Sequence, residues 1–468
     1  MSLEGRSDLC GQVYRQVRAA IADGLLRPGD TLPSTRELAR RLSVARNTVA
    51  VAYDRLTAEG FVRSRVGAGT YVSPRVGSPA QRSRTGSPLR PRPAWDRITE
   101  VPDMSIVDVE FDFRAGIPDA SRFPYAPWRT LIAGQLRASA VGTGAHIGAA
   151  GHPGLRAAIA RHVGVSRAVR ASADDVVVTN GSQQAVDLLA RVLLEPGDVV
   201  AVEDPGYPPP RRAFAAAGAR VVGVPVDAEG LVVDALPDSA RLVYVTPSHQ
   251  FPLGTAMSLP RRLALLDWAD RVGASIVEDD YDSEFRYGGR PLEPLHALDH
   301  TGRVLYVGSF SKVLLPTLRL GFLVAPAPLH AALRKAKGVC DWHTEVPAQA
   351  AAARFLDDGH LARHVRRMRG VYAARHHLVT SALAAELAGH LRPIPSAAGL
   401  HVAALLRRHA DDAAVALAAA ADGLALQPLS AYGVGAAPPP GLLLGYGAIQ
   451  TDRVAAGLRR LHRVLDGL

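Results

Sequence analysis

Lysine is scarce in this chain. Its 54 Lys+Arg include only Lys312, Lys335 and Lys337 as lysines. Lys312 stands in Ser309-Phe310-Ser311-Lys312, with Arg319 seven residues on. An arginine cannot replace an amine that must lose its proton and attack a carbonyl. The run Val304-Leu305-Tyr306-Val307-Gly308 ahead of it reads as a buried strand. A lysine just past a strand end, between serines, is the layout of a pyridoxal phosphate (PLP) Schiff-base site. Taken alone, the same lysine could equally be a solvated surface cation.

The elements that must position this chemistry occupy only part of the chain. Residues 1–95 hold 16 Arg, no Lys and 7 Asp+Glu, a net of +9 against +10 for all 468 residues. Positive charge gathered in the first fifth of a chain implies a polyanion partner for that segment. The start, Met1 to Cys10, has no apolar signal core, and charged residues or prolines interrupt the apolar runs well short of a membrane span. Cys10 and Cys340 fall in different segments, so neither a disulfide nor a cysteine metal cluster is expected, and no metal site is assigned. The expectation is a cytoplasmic protein with no membrane partner.

Apolar spacing predicts a helix over residues 9–25, stopped by Arg27-Pro28-Gly29-Asp30. A second helix begins after Ser34, with Glu37 closing a capping box. A third runs from Arg46 to Glu59, where Gly60 ends it. Residues 61–65 and 70–72 read as two strands around Val66-Gly67-Ala68-Gly69. Two helices, a tight turn and a hairpin make a winged helix-turn-helix. The segments Leu32-Pro33-Ser34-Thr35-Arg36-Glu37-Leu38-Ala39, Arg46-Asn47-Thr48-Val49 and Glu59-Gly60-Phe61-Val62 resemble the GntR family of DNA-binding domains over residues 9–72. A recognition helix that opens Ala45-Arg46-Asn47-Thr48 presents polar side chains to base edges in a major groove. Ser34, Arg36, Arg46, Asn47, Thr48, Arg65 and Gly69 are the candidate DNA-binding residues, and double-stranded operator DNA is the expected partner.

Residues 74–108 are rich in Pro, Ser, Gly and Arg and read as a flexible linker. This divides the chain into a head at 1–73, the linker, and a domain at 109–468. In that last part, strand-like runs at 176–179, 199–202, 242–245, 275–278 and 304–307 alternate with helical stretches. Such alternation is α/β chemistry on a mostly parallel sheet, with chemistry-bearing residues just after each strand.

Six ordered motifs carry a second resemblance: Phe113-Arg114-Ala115-Gly116-Ile117-Pro118-Asp119, Thr179-Asn180-Gly181-Ser182-Gln183-Gln184, Glu203-Asp204-Pro205-Gly206-Tyr207, Thr246-Pro247-Ser248-His249-Gln250-Phe251-Pro252, Glu278-Asp279-Asp280-Tyr281-Asp282 and Ser309-Phe310-Ser311-Lys312. Residues 112–468 resemble the fold-type I aminotransferases, with a smaller C-terminal subdomain. With its head, the whole chain resembles the MocR/GabR family of bacterial regulators. The resemblance implies PLP on Lys312 and a phosphate cup from Gly181, Ser182, Gln183, Ser309, Ser311 and Arg319. It implies Tyr207 stacked on the ring, Asp279 on the ring nitrogen, and Tyr281 on the ring hydroxyl. His249 or Gln250 falls where aminotransferases place an asparagine to that hydroxyl, and the choice stays open. Glu278, Asp279 and Asp280 leave a register ambiguity.

One departure bears on function. Aminotransferases place an arginine near the C-terminus to clamp the substrate α-carboxylate, and no arginine lies between Arg408 and Arg453. Arg114, Arg211 and Arg212 are possible substitutes. Transamination depends on orienting the substrate. The expectation is therefore a homodimeric PLP-dependent regulator with residual or no transaminase activity, its effector being PLP, in control of vitamin B6 synthesis. The alternatives are a PLP-loaded regulator sensing an amine such as γ-aminobutyrate, and a working aminotransferase with an accessory head.

Overall fold

A computed structural model describes residues 3, 8–65, 69–74, 90–92, 95–96, 98–99, 109–141, 144–288, 293–408, 411–435 and 438–468. The chain divides into two compact units, Met1–Pro91 and Arg92–Leu468. The wing tip at 66–68 and most of the 74–108 linker reading lie outside the described residues.

In the first unit the helices are α1 (Leu9–Ala22), α2 (Thr35–Leu42) and α3 (Arg46–Ala58). They bury Val13, Val17, Ile21, Leu38, Val49, Ala52 and Leu56 in one cluster. The α2 start is capped by Ser34, whose Oγ accepts from the Glu37 N–H at 3.2 Å, but the expected capping box is not closed, because the Glu37 carboxylate turns to Arg41 one helical turn on. Tyr53 donates to the Pro33 carbonyl at 3.0 Å and ties α3 to the entry of α2. Arg55 lies over the Tyr14 ring, 3.9 Å from its centroid, while Tyr14 also donates to Glu59. Three strands complete the unit: β1 (Thr31–Leu32), β2 (Val62–Arg65) and β3 (Gly69–Val72), with β3 central. β1 was not foreseen, because two residues carry no readable period.

In the second unit β4 (Phe111–Asp112) pairs with a short strand of the C-terminal subdomain at Leu424–Ala425. The main sheet contains β5 (Val176–Thr179), β6 (Val199–Asp204), β7 (Arg220–Asp227), β8 (Gly230–Leu231), β9 (Ala240–Val245), β10 (Ser275–Asp280), β11 (Val304–Ser309) and β12 (Gly321–Val324). Their order is β5-β12-β11-β10-β9-β6-β7-β8. The pairs from β11 through β7 are parallel, while β12 runs antiparallel to both β11 and β5. Strands β5, β6 and β9 to β12 are mostly apolar and buried between helices, as parallel sheets require, while β7 is only partly buried. The smaller subdomain has a four-stranded antiparallel sheet that includes His401–Leu406 and Gly441–Gly445, with the 25-residue helix His360–Ala384 packed on it. No helix among the described residues is long and apolar enough to cross a membrane.

Candidate functional site

The parallel strands deliver their loops to one edge of the sheet. Gly181 follows β5, Tyr207 follows β6, His249 and Gln250 follow β9, Tyr281 follows β10, and Lys312 follows β11. Arg319 enters β12 from the same edge because β12 runs the other way. Open α/β sheets hold their ligands at this carboxyl edge.

Lys312 is the centre. Its Nζ donates to the Gly116 carbonyl at 2.7 Å. Burial lowers its pKa, against the opposing fields of Asp282 and Asp279. The amine is thereby biased toward the neutral, nucleophilic form. Gly116 has φ +77, and a Cβ there would lie 2.8 Å from Nζ. A side chain at this position would displace the lysine.

Strand alternation resolves the three carboxylates of β10. Glu278 and Asp280 point to one face and Asp279 to the other. Glu278 accepts the Leu295 and His296 N–H groups, both at 2.9 Å. Asp280 Oδ2 accepts from Arg167 at 2.7 Å and Tyr306 at 2.6 Å. Burial works against the charge on Asp280, but Arg167 and Tyr306 outweigh it and its pKa is lowered. Asp279 accepts from Tyr244 through Oδ2 at 2.5 Å, and its buried Oδ1 has no partner among the described residues. Burial pushes the Asp279 carboxyl up to about 7.

The phosphate end has a matching form. Helix Gly181–Leu193 opens with no side-chain cap, so its first N–H groups are available to an anion. Gly181 has φ +75, and a Cβ there would lie 3.0 Å from Arg319 Nη2. Arg319 itself adopts φ 51, a left-handed conformation uncommon for arginine, and donates to the Asn180 carbonyl at 2.7 Å. Ser309 Oγ lies 2.9 Å from Ser311 Oγ. Ser182 is half-buried at the helix start, whereas the exposed Gln183 side chain leads away to the Pro209 carbonyl at 3.4 Å.

Both residues left as alternatives after β9 are already engaged. Gln250 Nε2 donates to the Pro205 carbonyl at 2.9 Å and the Phe251 carbonyl at 2.8 Å, and reaches Glu203 at 3.3 Å. It braces its own loop. His249 Nδ1 meets Asp282 at 3.0 Å and its Nε2 meets Ser396 Oγ at 3.1 Å. Tyr281 donates to the His249 carbonyl at 2.9 Å. Tyr207 meets Phe251 edge to face, with centroids 5.3 Å apart. Phe251 also packs on Tyr281, His401 and Tyr432. Sequence reasoning missed Tyr244, Phe251, Asp282 and His401. Tyr244 lay in a run read as a buried strand, and Phe251 stood inside a quoted motif without a role. Asp282 stood inside a quoted motif and offered its charge as a signal.

The possible carboxylate clamps divide. Arg114 is held by Asp112 through two bonds at 2.9 and 2.7 Å. Arg211 donates to the Gly433 carbonyl at 2.6 Å. Arg212 is half-buried, and its field reaches Tyr207. Leu442, Leu443 and Leu444 are fully buried in the segment where the usual arginine was sought.

In the first unit Arg36, Arg46, Asn47 and Arg65 are exposed, Ser34 is spent on its cap, and Thr48 is half-buried in the first turn of α3. Arg46 Nε lies 3.4 Å from Thr35 Oγ1, which brings the starts of α2 and α3 together. Gly69 has φ +106 and pairs with Arg65 at the base of the wing.

The fold and these residues define a winged helix joined to an aminotransferase-like domain. Residues 9–72 match the gntR family of bacterial regulatory proteins, and residues 128–458 match aminotransferase class I and II. The chain is 37% identical to a probable rhizopine catabolism regulatory protein, MocR, of Rhizobium meliloti, covering 96% of this chain and 92% of that one. It is 34% identical to the pyridoxine biosynthesis transcriptional regulator PdxR of Corynebacterium glutamicum, covering 94% and 92%. The solved kynurenine aminotransferase of Pyrococcus horikoshii, in complex with PMP, superposes with a TM-score of 0.72 at 28% identity, covering 77% of this chain and 91% of that one. The chain belongs to the MocR/GabR family of DNA-binding transcriptional regulators.

The cofactor of this domain is PLP. The residues present fit it: a buried amine, an unpartnered carboxylate oxygen, and an uncapped helix start beside Arg319. PLP supplies an aldehyde that condenses with amines and a ring that withdraws electrons. Lys312 would hold the aldehyde carbon, Asp279 Oδ1 would accept from the ring nitrogen, and Arg319 and Ser182 would hold the phosphate.

Proposed function

We propose that this regulator binds double-stranded operator DNA through α3 and the wing, and that its aminotransferase-like domain senses PLP to control vitamin B6 synthesis. The observation that carries this reading is an imbalance in the site. Groups for every part of PLP are gathered at the sheet edge, while Arg114 and Arg211 are spent and Leu443 is buried where a substrate clamp was sought. A ligand shifts a conformational equilibrium only by its differential affinity for the two states. PLP has the contacts to supply that difference. The 34% identity to a pyridoxine biosynthesis regulator supports the same assignment. The protein acts as a cytoplasmic homodimer with residual or no transaminase activity.

Arg212 favours a second reading, a PLP-loaded regulator of an amino compound such as γ-aminobutyrate. Its guanidinium makes no ion pair among the described residues. Operator binding separates the two readings when measured on apo-protein, on PLP-loaded protein, and on PLP-loaded protein with a panel of amines. A change at the first loading step supports PLP sensing. A change confined to the amine step overturns it.

A further inference from the structure

Behind the cofactor-binding edge lies a cleft of about 420 Å³ between the main sheet's loops and the smaller subdomain. That volume suits a small organic molecule. Its walls are largely apolar, with Pro393, Ile394 and Ala256 among them, and no acidic side chain among the described residues lines it. The exception in charge is Arg286. Its backbone is fixed by a bridge to Ala398. Its Nε is buried without a hydrogen-bond partner, and its guanidinium makes no ion pair among the described residues.

The neighbouring arginine is in a different state. Arg167 is neutralised by Asp280 at 2.7 Å and also donates to Ser248 Oγ at 2.7 Å. Arg286 therefore carries the uncompensated charge of this region, and burial and Arg167 together disfavour its charged form. Arg286 is half-buried with its Nε fully enclosed, and an unpaired cation that has lost part of its water gains when an anion meets it. The fork geometry of guanidinium suits a carboxylate held by two parallel bonds. Apolar walls with one cation select a monoanion with an apolar body over a phosphate or a polyanion. Ser396 also lines the cleft, and its Oγ contacts His249 Nε2 at 3.1 Å. His249 in turn touches Tyr281 and Asp282.

We propose that this cleft binds a small organic carboxylate, with the carboxylate on Arg286 and the apolar body against Ile394 and Pro393. The site stands on this geometry. That its occupant is a second regulatory signal, passed to the PLP site through Ser396 and His249, rests on the regulator reading above.

The test uses full-length, PLP-loaded protein and needs no DNA, so its failure leaves the regulator reading intact. Butyrate, hexanoate and benzoate are compared with their neutral amides by calorimetry and saturation-transfer NMR. At least one acid should bind saturably, and its amide should bind about tenfold more weakly or worse, as expected for loss of a charged hydrogen bond. Arg286→Gln should remove this preference while retaining the visible spectrum of bound PLP. Ala397→Trp, at an exposed position on the cleft wall, should block binding should Arg286→Gln not fold. Lys312→Ala should still bind the acid saturably and in preference to its amide. Absence of saturable binding by any acid, equal binding of acid and amide, or loss of binding in Lys312→Ala would overturn the proposal.

Discussion

Tyr244 donates its hydroxyl to Asp279 Oδ2 at 2.5 Å and leaves Oδ1 of the same buried carboxylate without a partner among the described residues. A half-satisfied buried carboxylate is costly, and the protein tolerates it where a ligand completes the set. With burial holding its pKa at about 7, the folded apo-protein keeps a proton that the unfolded chain releases near pH 4. The stability contributed by this group is present below about pH 4 and is lost as pH rises through about 7. Asp279→Asn should therefore stabilise the apo-protein at pH 8, by up to roughly a few kcal/mol, and have little effect at pH 4. The same change should weaken PLP binding, because an amide oxygen offers a protonated ring nitrogen a hydrogen bond without the compensating negative charge. Chemical denaturation at the two pH values checks the first statement, and PLP titration the second.

We propose Lys312 as the amine that carries PLP. Borohydride treatment of the PLP-loaded protein should fix the cofactor on the peptide containing Lys312, and Lys312→Ala should lose the covalent form. Arg319→Ala and Ser182→Ala should weaken PLP binding while leaving the adduct on Lys312. Mapping the adduct to Lys335 or Lys337 would refute the assignment.

Gln250 and His249 should behave differently. Gln250→Ala leaves the Pro205 and Phe251 carbonyls and the buried Glu203 short of a donor. It should cost roughly 1–3 kcal/mol of stability and keep the Lys312 adduct. His249→Ala should change the visible spectrum of bound PLP, because His249 meets both Tyr281 and Asp282. Denaturation midpoints and absorbance spectra of the two variants separate bracing of the loop from contact with the cofactor site.

In the head, Arg46 is exposed at the first turn of α3. Arg46→Ala should cost roughly 1–3 kcal/mol at a cognate operator if Arg46 reads a base. The loss on random DNA should be smaller, and affinity should fall steeply with salt as counterions are released. Equal loss on both DNAs would place Arg46 on the phosphate backbone.

These sites were unequally legible in the sequence. The head could be read because its helices announce their ends, Ser34 with Glu37 at one start and Gly60 at one stop. The parallel strands could be read from their apolar runs, and motif order placed Lys312, Asp279 and Arg319 in one site. The direction of β12 could not be read, since four apolar residues look the same run either way. His249 and Gln250 are neighbours whose roles depend on which way a loop turns, and no period encodes that. Tyr244 hid among apolar strand residues because its hydroxyl acts one strand away. Arg286 lay outside the motifs that drew attention, and its charge gains meaning only once Arg167 is seen to be paired with Asp280.

The most direct test of the account is the operator affinity of apo-protein titrated with PLP, with Lys312→Ala measured beside it. PLP should change wild-type affinity, and borohydride fixation should lock the protein in its PLP-bound affinity. The variant should not respond. An equal response to PLP in wild type and Lys312→Ala, or no response in either, would contradict it.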